Sequence, residues 1–89
     1  MYLHLGNDTV IKQEDVIGIF DLENSSISRH TRNFLRKAEQ KKKVFTVSYE
    51  VPKSFIVCNK KKSKNEKIYI SQISTTTLLK RIGFVENLV

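Results

Sequence analysis

The chain has 89 residues, of which 39% are hydrophobic and 28% are charged, and its formal net charge at pH 7 is +7. This length suits one domain over residues 1–89, and the composition excludes a wholly disordered chain. No run approaches the roughly 18 apolar residues of a membrane span, the first residues lack the pattern of a secretory signal, and the single cysteine, Cys58, excludes an internal disulfide. We therefore expect one cytoplasmic domain with no membrane partner.

The first third of the chain predicts three strands. Apolar runs at residues 2–5 and 9–11 flank a Gly6-Asn7-Asp8 turn cluster, and residues 16–20 form a β-branched and aromatic run. A polar connector over residues 21–26 follows. Apolar residues at helical spacing then predict a helix over residues 28–43, whose opposite face carries arginines.

The second half predicts three more strands and a last helix. Residues 44–49 alternate, residues 54–58 are apolar, and residues 68–71 resume after a polar hairpin tip at 59–67. A helix is expected from Ser74 or Thr75, with Gly83 as the residue that ends it. The order β-β-β-α-β-β-β-α predicts a small α+β domain with a mainly antiparallel sheet and two helices, because the short connections cannot carry parallel crossovers except through the helix at 28–43.

The charges are unevenly distributed. Residues 1–23 carry one base and five acids, a net of −4, whereas residues 24–89 carry 15 bases and four acids, a net of +11. Such a field attracts polyanions, and lysine suits phosphate contact better than base reading. The predicted DNA-contacting residues are Lys53, Lys60, Lys61, Lys62, Lys64 and Lys67, followed by Arg32 and Arg36. A solvated lysine-rich surface is the alternative interpretation of these residues.

Enzyme chemistry finds little support in the sequence. His4 and His30 lack metal-ligand spacing, Cys58 has no obvious histidine partner, and the three glycines form no phosphate-binding loop. We expect no catalytic residue, no metal, no cofactor and no small-molecule substrate. One possible function, besides the two given at the end of this subsection, is single-stranded RNA binding through the strand aromatics Tyr49, Phe55 and Tyr69.

Several segments resemble a known family of bacterial regulators. Residues 1–6, 16–21, 52–57, 68–71 and 74–81 are similar to the RemA/RemB family of extracellular matrix and biofilm regulators. The resemblance implies a cytoplasmic transcription regulator with a fold like that of LytTR DNA-binding domains. It also implies a ring-like homo-oligomer that bends double-stranded DNA around a basic rim. Members carry an arginine pair in the turn before the strand at 55–57, where this chain has Glu50-Val51-Pro52 and only Lys53 is basic.

Two functions follow from these observations. The first is a DNA-binding transcriptional regulator of matrix genes that acts as a homo-oligomer through a basic surface. The alternative is a non-DNA assembly or scaffold protein, in which the acidic N-terminal third of one subunit pairs with the basic remainder of another.

Overall fold

The computed structural model describes residues 1–25, 28–60 and 65–87. The strands are β1 (Tyr2–Gly6), β2 (Thr9–Lys12), β3 (Val16–Asp21), β4 (Val44–Thr46), β5 (Ser54–Asn59) and β6 (Glu66–Ser71), and the helices are α1 (Leu22–Ser25), α2 (Arg29–Gln40) and α3 (Thr75–Asn87). The α+β class with two main helices is confirmed. The described helices do not reach the length and hydrophobicity of a membrane span.

The strands form two sheets. β1 and β2 make an antiparallel hairpin, and the central sheet has the order β3-β5-β6-β4. β5 pairs antiparallel with β3 and β6, whereas β4 pairs parallel with β6. The mainly antiparallel prediction is confirmed. The one parallel pair is possible because α2 carries the chain from one edge of the sheet to the other.

Alternation along β5 divides the core in two. Ile56 and Cys58 point toward the β1–β2 hairpin and α3, while Phe55 and Val57 point toward α2. All four are buried. This central strand therefore holds both helices and the hairpin against one sheet.

Side-chain bonds to main-chain oxygens hold the hairpin on the sheet. The Ser71 hydroxyl donates to the Leu5 carbonyl at 2.5 Å, and the Arg81 guanidinium donates to the His4 carbonyl at 2.7 Å. The Asn7 amide donates to the Val47 carbonyl at 2.9 Å. Gly6 has φ +122, and a Cβ there would lie 2.7 Å from Gln72 Oε1, so glycine is needed at this turn.

Several predicted boundaries are wrong. The connector at 21–26 contains the short helix α1. The long helix begins at Arg29 and ends at Gln40, and not at residue 43, because the chain turns left-handed at Lys42. The strand predicted over 44–49 stops at Thr46, since the Ser48 hydroxyl accepts a bond from the Glu50 N–H and turns the chain. The last helix continues through Gly83. Glycine can adopt the left-handed backbone conformation that ends many helices, but it can also remain helical.

Candidate nucleic-acid interface

Two of the predicted lysines lie together beside the end of β5. Lys60 follows the last residue of β5, and Lys67 lies on β6 opposite Cys58. Both are exposed and both line one groove. The other predicted tip residues, Lys61, Lys62 and Lys64, lie outside the described residues.

The turn after α2 brings three more lysines to the same end of the sheet. The Ile68 N–H donates to the Lys43 carbonyl at 2.9 Å, and Val44 pairs with Ile68 in parallel register. Lys43 therefore lies beside Lys67 on the neighbouring strand, at a spacing of about 5 Å between the two chains. We call the set Lys41, Lys42, Lys43, Lys60 and Lys67 the basic end.

A Schellman motif fixes this turn. The Lys42 N–H donates to the Glu39 carbonyl and the Lys43 N–H to the Ala38 carbonyl, each at 2.9 Å. The motif places Lys42 in the left-handed region, with φ 58. Glycine or asparagine normally occupies that position, because a side chain there costs about 1–2 kcal/mol. The chain thus places a lysine where glycine would avoid that cost.

Lys53 lies at the opposite end of the sheet. It immediately precedes β5, while Lys60 immediately follows it, so the six residues of the strand separate them by about 20 Å. Its N–H donates to the Ser71 carbonyl and its carbonyl accepts from the Leu22 N–H. The structure does not bring Lys53 together with Lys60 and Lys67 into a single patch.

The two predicted arginines lie on α2, which covers the other face of the sheet. Arg36 precedes Lys41 by five residues, about 7–8 Å along the helix axis, and Arg32 is one turn further away. Both are exposed. Arg36 therefore extends the basic end along the helix, and Arg32 lies at its margin.

A groove separates the β1–β2 hairpin from the open part of the central sheet. Its volume is about 500 Å³. We call it the hairpin groove, and it is lined by Tyr2, Val10, Ile11, Lys12, Asp15, Cys58, Lys60, Asn65, Lys67 and Tyr69.

The floor of the hairpin groove has low polarity. Burial, followed by the charge of Asp15, raises the pKa of the Cys58 thiol to about 11, although Lys67 acts in the opposite direction. Burial also raises the pKa of Tyr69. Both groups are therefore neutral at pH 7 and add no negative charge beneath the lysines.

Aromatic rings extend this surface toward β4. Phe45 stacks on Tyr69 with ring centroids 5.6 Å apart, and the Lys67 ammonium lies 5.9 Å from the Phe45 centroid. Of the three aromatics considered for RNA stacking, Phe55 is buried and Tyr49 is fully exposed on the loop after β4. The three rings do not form one stacking platform.

Sequence reasoning missed the contribution of Lys41 and Lys42, and it placed Lys43 only on the arginine-bearing face of the predicted helix. The run of three lysines is visible in the sequence, but its proximity to Lys67 depends on the parallel pairing of β4 with β6. Within the described ranges, no group of three His, Cys, Asp or Glu side chains could hold a metal ion.

Comparison with known proteins assigns the chain to a family. Residues 2–82 match the RemA-like family model, described as extracellular matrix regulatory protein A-like. The chain is also 39% identical over 85 residues to extracellular matrix regulatory protein B of Bacillus subtilis (strain 168), an alignment that covers 96% of this chain and 94% of that protein. A family match over nearly all of the chain agrees with the segments quoted from the sequence, and the chain therefore belongs to the RemA-like family.

Proposed function

We propose that this protein is a transcriptional regulator of extracellular matrix genes that binds double-stranded DNA through the basic end and acts as a homo-oligomer. The role in matrix regulation is supported by the family and by the name of the Bacillus subtilis relative. The observation that carries DNA binding is the register of β4 on β6, which adds Lys41–Lys43 to Lys60 and Lys67. No catalytic step is part of the proposal.

The chemistry of the basic end favours the phosphate backbone over the bases. Lysine presents a point charge and lacks the planar fork with which arginine reads guanine. Each neutralised phosphate releases counterions and contributes about −0.9 to the slope of log K against log salt. Full engagement of the five described lysines predicts a slope of about −4 to −5 for each protomer.

A matched pair of double variants tests the site. We expect Lys41→Ala/Lys42→Ala to flatten the salt slope by about 2, whereas Arg29→Ala/Lys80→Ala, which removes the same charge at two exposed positions outside the basic end, leaves it nearly unchanged. The measurement is fluorescence anisotropy of a labelled duplex across a sodium chloride series. Replacement of the lysines at 60–62 and 64 by alanine tests the hairpin tip in the same assay. Equal slopes for the two double variants would remove the basic end from the DNA site.

An exposed apolar groove on the opposite face supports self-association. Ile17, Phe20 and Phe34 are 61%, 43% and 39% exposed, and they line a cavity of about 350 Å³ beside the edge strand β3. Burial of such side chains against a second copy is favourable. We expect light scattering to give a multimer mass that falls in Phe34→Glu, with Tyr49→Glu as the exposed aromatic control. A monomeric wild-type protein would contradict self-association.

The alternative, a scaffold that does not bind DNA, is favoured by the same apolar groove together with the −4 and +11 division of charge. It predicts assemblies that weaken in salt and no complex with duplex DNA at physiological salt. Light scattering with and without duplex, across the same salt series, distinguishes the two functions.

A further inference from the structure

The hairpin groove combines features that contact with a DNA backbone does not require. Its volume of about 500 Å³ lies within the range of roughly 300–1,000 Å³ that is typical of small-molecule sites. Three lysines line it. Lys60 follows β5 and Lys67 lies on β6, so both belong to one lysine-rich hairpin, and folding brings Lys12 to them from the end of β2.

The groove also contains groups that suit the non-ionic parts of a ligand. Ile11 and Cys58 are buried at its base, and the half-buried Tyr69 lies beside them, supported from behind by Phe45. Tyr2 is 67% exposed and sits opposite Lys12 on the hairpin. A planar ring can therefore lie against aromatic and apolar surface.

Asp15 adds a carboxylate to the groove. It can accept hydrogen bonds from a ribose hydroxyl or an exocyclic amine, groups that inorganic phosphate lacks. The combination of cations, an aromatic wall and one acceptor matches phosphate, base and sugar in one molecule.

We propose that the hairpin groove binds a free mononucleotide, with its phosphate among Lys12, Lys60 and Lys67 and its base against Tyr69 and Tyr2. Lys60 and Lys67 also belong to the basic end, so a bound nucleotide competes with DNA for them. The competition rests on the proposed function, whereas nucleotide binding itself does not. The nucleotide would therefore lower the DNA affinity of the regulator, and DNA would lower its nucleotide affinity by the same factor.

Calorimetric titration with AMP tests the site. We expect saturable binding with a Kd of about 1 mM or tighter, and much weaker binding of adenosine or inorganic phosphate alone. Lys12→Ala should weaken AMP binding about tenfold, while Lys37→Ala, an exposed lysine on α2 outside the groove, should not change it. Asp15→Asn provides a second variant, and circular dichroism verifies that each variant is folded.

Two results would overturn the inference. One is an AMP titration without saturable binding, whether or not a single-stranded oligonucleotide binds, and the other is AMP binding that Lys12→Ala leaves unchanged. Competition is then measured by adding AMP to the anisotropy assay with labelled duplex. If the wild-type protein binds AMP but not duplex DNA, the proposed function is refuted and the groove site stands. If it binds duplex DNA but not AMP, only the groove site is refuted.

Discussion

Lys42 has a left-handed backbone conformation at the end of α2, and this allows a direct test of the fold at the basic end. Lys41 has φ −87 and ψ 4, whereas its neighbour Lys42 has φ 58. Lys41→Gly and Lys42→Gly remove the same charge near the same helix end and add the same freedom to the unfolded chain. Only Lys42→Gly relieves a side chain held in the left-handed region.

The difference in unfolding free energy between the two variants therefore isolates that strain, which we expect to be about 1–2 kcal/mol in favour of Lys42→Gly. Lys41→Gly alone should lower stability by about 0.5–1 kcal/mol, as glycine does in other helical positions. The two melting temperatures should differ by at least about 4 °C for a domain of this size. Both variants should weaken DNA binding alike.

Thermal unfolding followed by circular dichroism, at one protein concentration so that self-association is held constant, measures the difference. Equal melting temperatures, or a less stable Lys42→Gly variant, would refute the Schellman turn.

Three further predictions concern the core and the hairpin. Ser71→Ala should lower the free energy of unfolding in urea by about 1–3 kcal/mol, because a buried carbonyl loses its donor, while Ser48→Ala, which removes a solvent-exposed bond, should lower it by only about 0.5 kcal/mol. Gly6→Ala should lower it by about 1–3 kcal/mol through the positive φ, and an unchanged urea midpoint would contradict the turn geometry. Because burial raises the pKa of the Cys58 thiol from about 9 to about 11, the native state keeps a proton that the unfolded chain loses. The contribution of this pKa difference to the free energy of unfolding is fully present below pH 9 and is lost between about pH 9 and 11. Urea titrations across this range should show a smaller loss of unfolding free energy for Cys58→Ala than for the wild type.

The sequence predicted the elements of this fold better than their arrangement. Alternation and β-branched runs located the strands at 2–5, 16–20 and 54–58 because those patterns depend on local burial. The parallel pairing of Val44 with Ile68 joins residues 24 positions apart, and no local pattern encodes it. The likeness to LytTR domains stays a prediction.

For the candidate site, too, the sequence predicted individual residues better than their arrangement. Lys60 and Lys67 were identified because a hairpin tip projects from a sheet, and they do share one surface. Lys53 was grouped with them although one strand length separates it from the tip, because position along the chain does not reveal which end of a strand faces a partner. The sequence shows Lys41–Lys43 only as a basic helix end. Their position beside Lys67 depends on the order of the strands.

The way in which the β1–β2 hairpin is attached has a consequence for how this domain can diverge. Ser71 and Arg81 bind the carbonyl oxygens of Leu5 and His4, and every residue possesses a carbonyl oxygen. Outward-facing positions such as Tyr2 and Val10 can therefore be exchanged without loosening the attachment. Substitutions at these positions can change the outer face of the hairpin while the scaffold beneath it stays the same.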